Sequence, residues 1–368
     1  MSWLNFFARS SPKPRRCRPR TVLNVEALED RLVPSTADLI AYRPVTDYFN
    51  CANFAVAASQ EESYTLGPGI RINGDDDNAN GIPDFQDHSG ADNDLVRVDV
   101  AATGTAAQLT FTANLRVWTA QDNGSSQSKQ TEILSGSSIF SGTVWVEYIS
   151  TTHTTAAAPA GLTLTASDGA GSVSDQLVFH SFQSVVIAIG GNTQNPANVG
   201  DPNLGVFTIA ANLYQQGYDP HMYAHDQVSS TGAGAAYNEV VSAVKNRNVD
   251  YVAIIGYSWG GGATYELAKG LQANTAIQGK WTLSYTAYID GITHGWISSE
   301  TRRPPGSRYH DNIYQRKDWL LKGNSVIGAV NLNVTNTTWG KNLVHTSIDD
   351  NAMVQSIIIT NLGTHVVR

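Results

Sequence analysis

Tyr251-Val252-Ala253-Ile254-Ile255-Gly256-Tyr257-Ser258-Trp259-Gly260-Gly261-Gly262 is the stretch that decides the fold of this chain. An apolar run ends in Gly-x-Ser-x-Gly and passes into a helix start made of small residues. Read as structure, a buried strand turns sharply into a helix and leaves the Ser258 oxygen at the tip of the turn, the nucleophile-elbow pattern. Strand and helix nearly touch at such a turn, so both flanks must lack bulk. Gly256 and Gly260 meet that need, and Gly261 and Gly262 extend it. A bare Gly-x-Ser-x-Gly is a weak signal, because Gly and Ser are common in loops. Here both flanks supply the context that the pattern requires, so Ser258 is the candidate nucleophile; the plain alternative is a turn with a spare hydroxyl.

Around this stretch the pattern is strand, helix, strand. Val185–Ile189 is a continuous apolar run, as buried parallel strands are. Val206, Ile209, Ala210 and Leu213 follow helical spacing, as do Tyr237, Val240, Val241 and Val244. His221–Ala224, Tyr251–Ile255, Leu283–Ile289 and Val326–Val334 read as further strands. Met353, Val354, Ile357 and Ile358 mark a last helix, with Gly363 as its expected stop. Such alternation predicts a mostly parallel sheet with right-handed crossovers over residues 184–368.

This half of the chain resembles the α/β-hydrolase superfamily, with the elbow as the most specific element. A serine hydroxyl is a poor nucleophile and needs a base within reach and an acid to orient that base. The family order is Ser, then Asp or Glu, then His. Asp290 ends the strand Ala287-Tyr288-Ile289 and precedes Gly291, at the strand edge where such folds place chemistry. Its short separation from Ser258 resembles the lipases that carry the acid directly after the elbow unit. Asp311 and Asp318 are its rivals. His345 follows the last strand candidate and precedes the last helix, where the family carries its histidine; His294 and His310 are the alternatives. The resemblance implies an oxyanion hole built from the N–H of Trp259 and a second donor in Gly190-Gly191-Asn192-Thr193, either Gly191 or Asn192. Residues 295–325, with Trp296, Arg302, Arg303, Pro304, Pro305, Tyr309, Tyr314 and Trp319, read as a pocket wall or lid suited to an acyl or aryl group, or as an ordinary surface loop.

Upstream the period changes to two. Leu95–Val100, Gln108–Trp118, Thr143–Ile149, Leu162–Thr165 and Gln176–His180 alternate and are punctuated by Gly, Ser, Asn and Ala. They predict a β-rich, sandwich-like domain over 37–183. Trp118 and Trp145 read as core residues rather than as a sugar-stacking platform. Before these strands, Asp76, Asn78, Asn80, Gly81, Asp84 and Asp87 fall at the alternating positions of a calcium loop. The run resembles the Asp-rich loops of thrombospondin type-3 and dockerin-like modules. It departs from an EF-hand because Asp87 is shorter than the usual bidentate Glu and no helices flank it. Calcium there would be structural; the alternative is a solvated acidic turn.

The chain has 368 residues, 15% charged and 41% hydrophobic, enough for two or three domains. Arg9, Lys13, Arg15, Arg16, Arg18 and Arg20 give the first twenty residues six positive charges and no acid. Removing those six from the formal net charge of −8 leaves −14 on the remainder, which argues against a nucleic-acid partner. Residues 1–36 read as a disordered basic segment. Leu28-Glu29-Asp30-Arg31-Leu32-Val33-Pro34 resembles a short motif of exported and surface proteins of some bacteria, and implies an extracellular or cell-surface location. Two cysteines, Cys17 and Cys51, make no disulfide framework, and no apolar run is long enough to span a membrane.

Taken together the residues predict an exported or surface serine hydrolase that cleaves carboxylic esters, lipase- or esterase-like, with no cofactor for the chemistry. The rivals are a catalytically inert, calcium-binding surface or adhesion protein, and an acyltransferase using the same triad.

Overall fold

In a computed structural model the structure describes residues 37–42, 70–72, 95–119, 131–148, 159–168, 171–194, 196, 204–245 and 248–368. The basic segment 1–36 and the Asp-rich loop with Asp76, Asn78, Asn80, Asp84 and Asp87 lie outside the described residues.

Period-two alternation builds two five-stranded sheets. One has the order β1 (Ala37–Tyr42), β3 (Leu95–Ala102), β8 (Ser141–Tyr148), β5 (Leu115–Trp118), β6 (Glu132–Ile133). The other runs β2 (Ile70–Ile72), β10 (Gly171–Ser181), β9 (Ala160–Asp168), β4 (Ala106–Phe111), β7 (Ser137–Ser138). Pairing is antiparallel except between β10 and β2. Val96, Val98, Val144 and Val146 of the first sheet share one core with Leu109, Leu162, Leu164 and Phe179 of the second. This is the face-to-face packing of a sandwich. The run Gln108–Trp118 is two strands and not one: β4 and β5 lie in different sheets, and the chain crosses between them at Thr112–Asn114. Trp118 is buried on the outer face, where its Nε1 donates to Glu147 Oε2 (3.0 Å) and Trp145 packs against it.

Between Ser181 and Ser184 the chain changes to a six-stranded parallel sheet. Its order is β12 (Pro220–Tyr223), β11 (Ser184–Ile189), β13 (Tyr251–Tyr257), β14 (Thr282–Ile289), β15 (Tyr309–Tyr314), β16 (Val330–Asn333). Helices α1 (Gly205–Gln215) and α4 (Ala352–His365) cover one face, and α2 (Ala235–Lys245) and α3 (Trp259–Gln272) the other. All six residues of β11 are buried because both faces are covered. The sequence expectation of a lid or plain loop over 295–325 is corrected, since β15 is a buried strand of this sheet. The expected strand Val326–Val334 shrinks to β16. The last helix passes through Gly363 and ends at His365.

Candidate active site

Strand order reverses at β11, whose neighbours β12 and β13 follow it from opposite sides. A crevice opens there at the carboxyl ends of the strands. The loop after β11 carries Gly191 and Asn192; the turn after β13 carries Ser258. Ser258 has φ 54° and ψ −122°, a region that a residue with a side chain rarely enters. The surroundings over-determine it: Ser258 N donates to Ile289 O (3.1 Å), and Ser258 O accepts from Ile292 N (2.8 Å) and Gly261 N (2.9 Å). Strand and helix approach so closely that a Cβ on Gly256 would run into the Gly260 carbonyl, and one on Gly260 into the Ile189 carbonyl. Glycine costs about 1 kcal/mol in a helix relative to alanine. Here it lets α3 begin against β11 and β13.

The structure brings Ser258, His345 and Asp290 together. His345 Nε2 lies 2.8 Å from Ser258 Oγ, and His345 Nδ1 lies 2.7 Å from Asp290 Oδ2. Exposure is 7% at Ser258, 5% at His345 and 0% at Asp290, so the chain of contacts is shielded from bulk water. Asp290 also has positive φ, 48°. Its Oδ1 accepts from the N–H of Gln315 (3.1 Å) and of Gly323 (2.6 Å), and its Oδ2 from Gln315 Nε2 (2.9 Å). With His345, these donors give both oxygens of the buried carboxylate a hydrogen-bond partner. The imidazole is held from its backbone side as well. His345 N donates to Asp318 Oδ2 (2.6 Å), Tyr257 OH donates to His345 O (2.7 Å), and the two rings stack at 5.3 Å. Burial raises the Tyr257 pKa well above the ordinary tyrosine value, so its hydroxyl remains a donor.

The rivals sit elsewhere. Asp318 holds the His345 backbone, and Asp311 accepts from Tyr285 OH (2.7 Å) and Asn361 Nδ2 (2.9 Å). His310 is buried against Thr286 (Nδ1 to Oγ1, 2.8 Å), and burial lowers its pKa to about 3. His294 Nε2 meets His225 Nδ1 at 3.2 Å; burial lowers the pKa of both, and His225 lies edge-on to Trp259 at 4.9 Å.

At the candidate oxyanion loop, the Gly191 N–H donates to Gln194 Oε1 (2.9 Å) and is therefore engaged. Gln194 Nε2 continues to Asp349 Oδ2 (3.0 Å). Asn192 is exposed, and its N–H has no partner among the described residues. Trp259 begins α3, so its N–H has no acceptor within the helix. Gln194, Gln315 and Asp349 carry no sequence signal of their own; only the position of Gln194, just past the glycine loop, pointed near it. Among the described residues no group of three or more His, Cys, Asp or Glu could hold a metal ion. Comparison with protein-family models finds no match for this chain, and comparison with curated proteins finds none either.

Proposed function

We propose that the chain is a serine ester hydrolase of the α/β-hydrolase class, acting outside the cell or at its surface. The observation that carries this is the hydrogen-bonded chain from Ser258 Oγ through His345 to Asp290, at 2.8 and 2.7 Å, on a strained turn. A serine held in a conformation that costs about 1–3 kcal/mol, with a base in contact, is an arrangement that serves attack.

In the proposed reaction Ser258 Oγ bonds to the ester carbonyl carbon while His345 Nε2 takes its proton. Asp290 keeps the imidazole in the tautomer with Nδ1 protonated and stabilises the imidazolium. The carbonyl electrons move to an oxyanion, which we assign to the unengaged N–H groups of Trp259 and Asn192; Gly191, with its N–H tied to Gln194, shapes the loop. The tetrahedral centre collapses, the C–O bond to the alcohol breaks, and Nε2 returns the proton to the leaving oxygen. Water then attacks the acyl-enzyme by the same route. No cofactor enters these steps. Calcium at Asp76, Asn78, Asn80, Asp84 and Asp87 is proposed as structural only.

Fluorophosphonate labelling of wild type and Ser258→Ala, side by side, tests the reading. Labelling is expected in the wild type and absent from the variant. A folded wild type that does not label favours the inert surface protein instead. Transfer of the acyl group to an added alcohol in preference to water favours the acyltransferase.

A further inference from the structure

Two excursions of the chain leave the carboxyl edge of the parallel sheet from one place. The first, Gly291–Glu300, follows Asp290 directly and is closed at its base, with Glu300 N donating to Gly291 O (2.8 Å) and Thr293 N to Ser298 O (2.8 Å). Its tip carries Trp296 and Ile297, 70% and 63% exposed. The second, Gln315–Gly323, begins and ends on Asp290 Oδ1 through the N–H groups of those two residues. Its tip carries Trp319 and Leu320, 84% and 46% exposed. Ser299 Oγ donates to Lys322 O (2.6 Å) and joins the two. Both flank the serine and its base: Trp296 O accepts from Trp259 Nε1 (2.6 Å), and Asp318 accepts from His345 N (2.6 Å).

A single exposed apolar side chain is ordinary, but four on two joined tips beside one site mark an interaction surface. Their charge setting is specific too. The second excursion holds Arg316, Lys317 and Lys322 against one acid, Asp318, whose Oδ2 is turned inward to His345. Arg316 and Lys317 bond only neutral acceptors, Asn324 Oδ1 (2.6 Å) and Asn342 O (3.2 Å), so their charges are not cancelled. This local excess is positive on a chain whose formal net charge is −8. Trp and Leu at a tip with Arg and Lys behind it suit the headgroup boundary of an anionic bilayer, where rings enter the interface and cations stay with phosphate.

We propose that Trp296, Ile297, Trp319 and Leu320, backed by Arg316, Lys317 and Lys322, seat this chain on an anionic lipid–water interface, and that the ester it cleaves is drawn from that lipid phase. The choice of substrate rests on the hydrolase reading; the surface itself does not.

Co-sedimentation of full-length Ser258→Ala with vesicles separates the two, because that variant leaves the lipid intact. Binding to phosphatidylcholine–phosphatidylglycerol vesicles should exceed binding to phosphatidylcholine alone by about tenfold and weaken with salt. Adding Ile297→Ser and Trp319→Ser should lower binding about tenfold or more, with an unchanged unfolding midpoint. Lys317→Glu, which leaves the apolar tips in place, should lower binding to the anionic vesicles only. No sedimentation with anionic vesicles, equal binding by the Ile297→Ser/Trp319→Ser form, or retention only on an insoluble acetylated polysaccharide would each overturn the proposal. Wild type that labels with fluorophosphonate but ignores vesicles keeps the hydrolase reading and loses the lipid surface. Vesicle binding without labelling does the reverse.

Discussion

The sandwich and the parallel layer solve burial differently, and the difference locates the proposed chemistry. Strand β9 of the sandwich alternates buried and half-buried residues, with one face in the core and one outward. Strand β11 of the parallel layer is buried throughout. Among the described residues, non-glycine residues with positive φ are Thr193, Asn248, Ser258 and Asp290, all in the parallel layer. Three of them stand just beyond the carboxyl ends of β11, β13 and β14. The positive-φ residues of the sandwich are glycines instead, Gly104, Gly136 and Gly142, the last within strand β8. An unstrained scaffold of alternating strands can be stable and carry no reaction, whereas strain is held where packing on both faces of a sheet can enforce it.

That contrast can be broken by mutation. Asp290→Asn should be the most damaging of these changes. Every oxygen of Asp290 accepts from a donor, so an amide N–H₂ there must face His345 Nδ1 or a backbone N–H. A fall in kcat of about ten-thousand-fold is expected, read by steady-state hydrolysis of a soluble ester. Gln194→Ala frees the Gly191 N–H and loosens the loop; kcat should drop roughly tenfold to a hundredfold with KM little moved, less than removal of an oxyanion donor itself. A sandwich core change should do the opposite. Leu164→Ala, at a residue with 0% exposure, should cost about 2–5 kcal/mol in denaturant unfolding and leave kcat unchanged below the transition. A matching loss of kcat would show that the two layers are not independent.

An effect that depends on pH is expected at Asp349. Burial raises its pKa from 3.8 to about 7, against the hydrogen bond from Gln194. The folded state then holds a proton that the unfolded state has released, so this group stabilises fully below pH 3.8, and that contribution is lost as pH rises through about 7. Asp349→Asn lacks that titration. Measured between pH 5 and 8, its stability relative to wild type should rise with pH by on the order of 2–3 kcal/mol. A flat difference would place the Asp349 pKa near its ordinary value.

Much of the parallel layer was legible in the sequence, because continuous apolar runs and helical spacing report burial directly. The elbow gave Ser258, strand-edge position gave Asp290, and His345 was the residue to look for because it falls between the last strand candidate and the last helix, where the resembled family carries its histidine. Strand β15 was not legible. Tyr-His-Asp-Asn-Ile-Tyr reads as polar, yet it is buried with most of its polar groups partnered by neighbouring segments: His310 Nδ1 by Thr286, Asp311 by Tyr285, Asn312 by Asn324 and Asn331. Hydropathy cannot see a hydrogen bond to a residue twenty positions away. Gln194 and Gln315 were hidden for the same reason, since an amide becomes informative only when its partners are placed. The break between β4 and β5 was masked because alternation continues in phase through the crossing.

Ser258 and His345 are separated by 87 residues of chain. At about 5–20 residues per second, a ribosome exposes the serine roughly 4–17 seconds before its base has been made. During that interval the proposed nucleophile is a plain hydroxyl. On the proposed reading, activation is thereby delayed by chain order alone, until β15, β16 and the His345 segment have docked.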